Sequence, residues 1–139
     1  MATIKINSDL ERIGDETVNI AQRLREIIQH RNGCTIQYDY SGLIRNVQSM
    51  LRKSLDSLIN LDVDVAFKVL MLDDEVDAEN RRIYECATAD MRANCGFEEY
   101  LMNKYLISRH LERIGDHATN IAEEVIYLVE GEIIRHGKY

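Results

Sequence analysis

The sequence predicts an all-α protein, a three-helix bundle preceded by one extra helix. Two observations set that class. Among the 139 residues there is no proline and there are only 7 glycines, too few turn-formers for the many reversals of a sandwich or barrel. Apolar residues also recur at helical rather than alternating spacing along four long stretches. With 45% hydrophobic and 29% charged residues, the chain carries enough apolar side chain for one modest core, and it reads as one domain or part of one.

The first predicted helix runs from Ser8 to about His30, with Leu10, Ile13, Val18, Ile20, Ala21, Leu24, Ile27 and Ile28 near a 3.6-residue period. Ser8 or Asp9 is the expected N-cap, Glu11 suits the positive end of the helix dipole, and Gly33 is the stop. Asn32 to Gly42 holds two glycines and the β-leaning run Thr35–Tyr40, which reads as a linker. A second helix follows from Ser41 to Leu61, marked by Leu43, Val47, Met50, Leu51, Leu58 and Ile59. Asp62 or Asp64 caps the third, Val63 to about Met91, whose stripe is Ala66, Val69, Val76, Ile83 and Ala87. After the break at Asn94–Gly96, a fourth helix is expected from Phe97 to Arg135. Leu111, Ile114, Ala118, Ile121, Ala122, Val125, Val129 and Ile133 face a partner there, and Gly115 and Gly131 are points of bending.

The resulting division is an orphan helix over 1–31, a linker over 32–42 and a bundle over 43–139. The last three helices can bury one another's stripes. The first has an apolar stripe of its own that must be covered, by the bundle, by a second copy or by something missing. The patch Leu101, Met102, Leu106 and Ile107 is the candidate seat for the first helix of another copy, so a homodimer by helix exchange is expected.

Charge and cysteine usage exclude several functions. Twenty-four acidic against 17 basic residues give a net charge of −7, the wrong sign for binding nucleic acid. No apolar run approaches the roughly 20 residues that span a bilayer. Met1–Ile6 lacks the apolar segment of a secretory signal, so a cytoplasmic location is expected. Cys34, Cys86 and Cys95 form no C-x-x-C pair and read as buried or inert thiols. The histidines give little ligand signal: His30 and His136 sit near helix ends, and His110 and His117 flank the motif described next, with His110 read as a surface residue in preference to a supporting ligand. Most of the tyrosines read as half-buried packing residues.

The strongest signal is internal. Leu10-Glu11-Arg12-Ile13-Gly14-Asp15 recurs as Leu111-Glu112-Arg113-Ile114-Gly115-Asp116, and both copies continue to Asn-Ile-Ala, at Asn19–Ala21 and Asn120–Ala122. Nine identities over twelve positions mean a duplicated supersecondary unit. On a helix, Glu112, Asp116 and Asn120 are spaced by four and line one stripe, to which Glu123 returns. That stripe lies opposite the apolar one and so on the outside of the bundle. Glu11, Asp15 and Asn19 repeat it on the first helix. Asp73 and Asp77, with Asp74 and Glu75 between them and Asn80 a turn on, offer a second acidic stripe on the third. Carboxylate oxygens on neighbouring helices are what a hard or borderline cation requires. The competing reading is a solvated acidic face neutralised by Arg12 and Arg113. Di-iron catalysis is not expected, because Glu-x-x-His is missing: Glu112 meets Gly115 and Glu11 meets Gly14.

LERIGD followed by N-I-A resembles the signature of the PhoU family of phosphate-signalling regulators, and the resemblance covers nearly the whole chain. It implies two tandem three-helix bundles in a complete member, with the first helix here matching only the third helix of the first bundle. It further implies metal ions, often multinuclear iron, with zinc, manganese and magnesium as alternatives, held on the stripes of Asp73, Asp77, Glu112, Asp116 and Asn120 and of Glu11, Asp15 and Asn19. The implied role is repression of phosphate-starvation signalling by contact with the ATPase subunit of the phosphate ABC transporter and with the sensor histidine kinase, at the inner face of the membrane. The alternative is a metal-free helical interaction module with no part in phosphate control.

Overall fold

Four helices are present in a computed structural model that describes residues 1–131: α1 (Ala2–Gln29), α2 (Ser41–Asn60), α3 (Val63–Ala93) and α4 (Glu98–Glu130). Among the described residues there is no strand. The helices α2, α3 and α4 enclose one core, filled by Leu43, Val47 and Met50 from α2, Ala66, Val69, Val76 and Ile83 from α3, and Ile114, Ala118, Ile121, Ala122, Val125 and Ile126 from α4. Each large aliphatic side chain removed from water there contributes roughly 1.5–3 kcal/mol, which offsets the cost of ordering helices of which α3 alone has a side-chain N-cap.

The ends of the helices follow local chemistry. Asp62 caps α3, its carboxylate accepting from the Val65 N–H at 3.0 Å, and the preceding Leu61 closes α2 in the left-handed region at φ 50°. Replacing Asp62 with alanine is expected to lower stability by about 1 kcal/mol in urea unfolding, since one N–H at the end of α3 loses its acceptor. Two expected boundaries move. The helix α1 starts at Ala2 rather than Ser8, because nothing in Met1–Asn7 breaks it and Ile6 is buried in the core; Ser8 and Asp9 lie inside the helix instead of capping it. The fourth helix ends at Glu130, with Gly131 in the left-handed region at φ 70° as its stop rather than a bend. Val129 is exposed rather than packed. Ile133, Arg135 and His136 lie outside the described residues.

The extra helix is covered on one side by its own chain. Antiparallel to α4, α1 buries Ile6 and Ile13 in the shared core and packs Ile20 against it. Cross-links run the length of the pair: Lys5 to Glu124 at 3.6 Å, Arg23 to Asn103 at 3.0 Å, His30 to Glu99 at 3.5 Å. The expected seat for another copy is accordingly filled from within. Leu101 packs with Cys34, Tyr100 and Ile27 of the same chain, Ile107 is buried, and of the large apolar residues in that patch Met102 is the exposed one.

The linker is anchored by its tyrosines. Tyr38 donates to Asp90 at 2.8 Å and Tyr40 to the Lys104 carbonyl at 2.6 Å; burial, reinforced for Tyr38 by the Asp90 carboxylate, pushes both hydroxyls far above their ordinary pKa. The buried Lys104 in turn donates to Gln37 at 2.7 Å and lies over the Tyr100 ring. Tyr84 and Tyr127, by contrast, are exposed. Cys34 is buried as expected, whereas Cys86 and Cys95 are exposed, because they fall on the outer side of α3 and in the turn before α4.

Candidate metal centre

Packing α3 against α4 brings three of the predicted carboxylates together. Asp73 and Asp77, one turn apart on α3, meet Asp116 of α4 with one oxygen from each residue within 4.8 Å of the others. The glycine of the repeat helps set that approach: a Cβ on Gly115 would touch Met50 at 3.5 Å and Val76 at 3.6 Å, so α2 and α3 close onto α4 at the turn that carries Asp116. Asp73 and Asp77 are partly buried, and Oδ1 of Asp73 is shielded from solvent. The stripe thus lies in a groove between helices and is less open than a surface stripe.

Glu112 stands one turn from Asp116, in a neighbouring recess lined by Asp77, Asn80, Arg81, Tyr84 and Tyr105. Asn80 donates to its carboxylate at 3.1 Å and is itself held by the Ser108 hydroxyl at 2.9 Å, while Arg109 approaches at 3.6 Å. Burial, then the charge of Asp77, raises the Glu112 pKa against the pull of Arg109 and Arg113. Burial and Asp74 raise that of Asp77 against Arg81. Both groups therefore resist ionisation where they stand, and a bound cation would relieve the repulsion. Three clustered carboxylates with a fourth beside them, all oxygen and no thiolate, fit a hard or borderline metal ion.

The remaining predicted residues are placed elsewhere. Asn120 donates to Asp9 of α1 at 3.1 Å. Glu11 and Asp15 are exposed on α1, Asn19 is half-buried, and none of the three joins the Asp73–Asp77–Asp116 cluster. Asp15 and Asn19 line a groove between α1 and α4 with Arg12, Glu16, Arg113, Asp116 and His117. A second trio, Glu26, His30 and Glu99, closes the far end of the α1–α4 pair, with His30 nitrogens 3.1 Å from Glu26 and 3.5 Å from Glu99.

Two pairs escaped the sequence reading. His110 is not a surface residue: its imidazole donates to Glu16 at 2.6 Å, with 13% and 11% of the two side chains exposed. His117 donates likewise to Asp9 at 2.9 Å. The repeat itself holds the signal. In its register the counterpart of Asp9 is His110 and that of Glu16 is His117, so an antiparallel pairing of the two motif helices about a pseudo-two-fold axis sets each acid opposite a histidine. Pairing like with like would set acid against acid or histidine against histidine, so these positions select α1 with α4.

Comparison with known proteins identifies the family and the fold. The PhoU domain matches residues 41–125. The phosphate-specific transport system accessory protein PhoU homologue of Clostridium acetobutylicum is 32% identical over 94% of this chain and 59% of its own length; its counterpart in Pseudomonas aeruginosa is 36% identical over 92% and 53%. The crystal structure of PhoU from Pseudomonas aeruginosa superposes with a TM-score of 0.84 and 36% identity, covering 94% of this chain and 63% of that one. The chain thus spans little more than half the length of the curated relatives it matches. Motif, helical architecture and relatives converge: the chain belongs to the PhoU family.

Proposed function

We propose that the chain is a PhoU-type, non-enzymatic regulator of phosphate uptake and phosphate-starvation signalling. It binds metal ions on the groove between α3 and α4 and acts by contact with the ATPase subunit of the phosphate ABC transporter and with the sensor histidine kinase. The observation that carries the metal half is the convergence of Asp73, Asp77 and Asp116, with Glu112 adjacent. Iron is the first candidate and zinc, manganese and magnesium follow, one ion or several. The signalling half rests on relatives described as accessory proteins of the phosphate-specific transport system. The place of action is the cytoplasm at the inner face of the membrane, in keeping with described helices none of which is long and apolar enough to cross it.

A phosphate-starvation reporter tests the role. Removing the chain from its host is expected to switch the reporter on in phosphate-replete medium, and resupplying it to switch the reporter off. A variant with Asp73, Asp77, Glu112 and Asp116 all changed to alanine is expected to fail at resupply and to lose capture of the ATPase subunit in pull-downs. A reporter indifferent to the chain would defeat the phosphate role, and undiminished capture by the variant would favour the metal-free interaction module.

A further inference from the structure

Among the described residues the small hydroxyl side chains Ser54, Ser57, Ser108 and Thr119 are buried, and Ser108 is used differently from the rest. Ser54, Ser57 and Thr119 donate to a carbonyl one turn back in their own helix, that of Leu51, Ser54 and Asp116 respectively, which satisfies a buried hydroxyl. Ser108 has the same contact, 2.7 Å from the Tyr105 carbonyl. It also reaches across to α3, where its hydroxyl lies 2.9 Å from Oδ1 of Asn80.

That second contact fixes an amide. With its oxygen engaged by Ser108, Asn80 turns its N–H toward Glu112 and donates to Oε2 at 3.1 Å; the reversed amide would set oxygen against carboxylate oxygen. Arg109 approaches the same Oε2 at 3.6 Å. Both contacts fall on one oxygen, which leaves Oε1 of Glu112 for a cation in a recess that Asp77 also lines. A carboxylate hydrogen-bonded from behind is how outer groups orient a metal ligand. Ser108 is not part of the repeated motif, since its counterpart in that register is Asn7. We infer, resting on the metal reading of this groove, that Asn80 and Ser108 are positioning residues of the metal centre: Ser108 sets the Asn80 amide, and Asn80 holds Glu112 as the fourth carboxylate beside Asp73, Asp77 and Asp116. Neither residue touches the ion. Without them the flexible Glu112 side chain has to be ordered when the ion binds, and affinity falls.

Calorimetric titration of the metal-free whole chain with manganese, and anaerobically with ferrous iron, tests this. Wild type is expected to bind, and Asn80→Ala and Ser108→Ala each to bind about ten- to hundredfold more weakly. Glu112→Ala should show a loss of the same order. Adding Asn80→Ala to it should cost nothing further, because Asn80 acts through Glu112. A role in packing would instead lower affinity equally with and without the Glu112 carboxylate. Asn80 is half-buried and Ser108→Ala removes a single oxygen, so far-UV circular dichroism of the metal-free variants should match wild type. Full affinity in either single variant, or equal losses with and without Glu112, would overturn the inference and leave the groove a metal site. A wild type that takes up neither ion would overturn the metal reading itself, and this inference with it.

Discussion

Manganese or ferrous iron added to the metal-free protein is expected to raise its unfolding temperature by several degrees, and Asp73→Ala with Asp77→Ala to remove that rise. A ligand that binds only the folded state, at one hundred times its dissociation constant, adds about 2.7 kcal/mol, enough to move the midpoint of a domain this size by several degrees. The cause lies in the carboxylates. Asp77 and Glu112 are held above their ordinary values of 3.8 and 4.5 by burial and by neighbouring negative charge. Folding therefore retains protons that the unfolded chain has released. In the metal-free protein these two groups lower stability as pH rises from those ordinary values through their raised folded ones, and the penalty remains in full above that window. Asp77→Asn with Glu112→Gln should flatten the decline, and bound metal should reverse it by favouring the ionised forms. Metal-independent unfolding across the series would leave the cluster as a solvated acidic groove.

Leucine at Gly115 is expected to destabilise the protein by about 1–3 kcal/mol through overpacking, whereas leucine at Gly14 should stabilise a dilute, monomeric sample by roughly 0.5–1 kcal/mol through helix propensity. The residues are copies of one another, and only their surroundings differ. At Gly115 the Cβ position already lies at ordinary contact distance from Met50 and Val76, so an alanine fits but any atom beyond Cβ must displace the core. At Gly14 the same atoms extend into open space. Urea unfolding of the two variants at low concentration measures the contrast. Equal losses at both positions would mean that the glycine serves the helix itself rather than the packing around it.

Much of this fold was legible because helices declare themselves locally. The stripes of Leu43–Val47–Met50, Ala66–Val69–Val76–Ile83 and Ile114–Ala118–Ile121–Val125 are written at 3.6-residue spacing and fill the core as read. Asp62 caps α3 because a carboxylate directly before the first helical residue can accept from an unpaired N–H of the first turn. The acidic stripes were legible for the same reason, since four-residue spacing places side chains on one face whatever the helix packs against. Their distance across helices was not legible. That Asp116 faces Asp73 and Asp77 while Asn120 turns to Asp9 depends on how α1 and α3 sit on α4.

Local pattern by itself thus determined the class, the four helices apart from the start of α1 and the end of α4, and the residue types of the candidate site. Tertiary structure alone decided three things: that α1 covers the patch around Leu101, that His110 is a partner of Glu16 rather than a surface residue and His117 a partner of Asp9, and that Gly115 is enclosed while Gly14 is open. Periodicity states which face of a helix is apolar or acidic, but it does not state which other helix meets that face. That choice is settled by the summed packing and charge complementarity of residues distant in the chain.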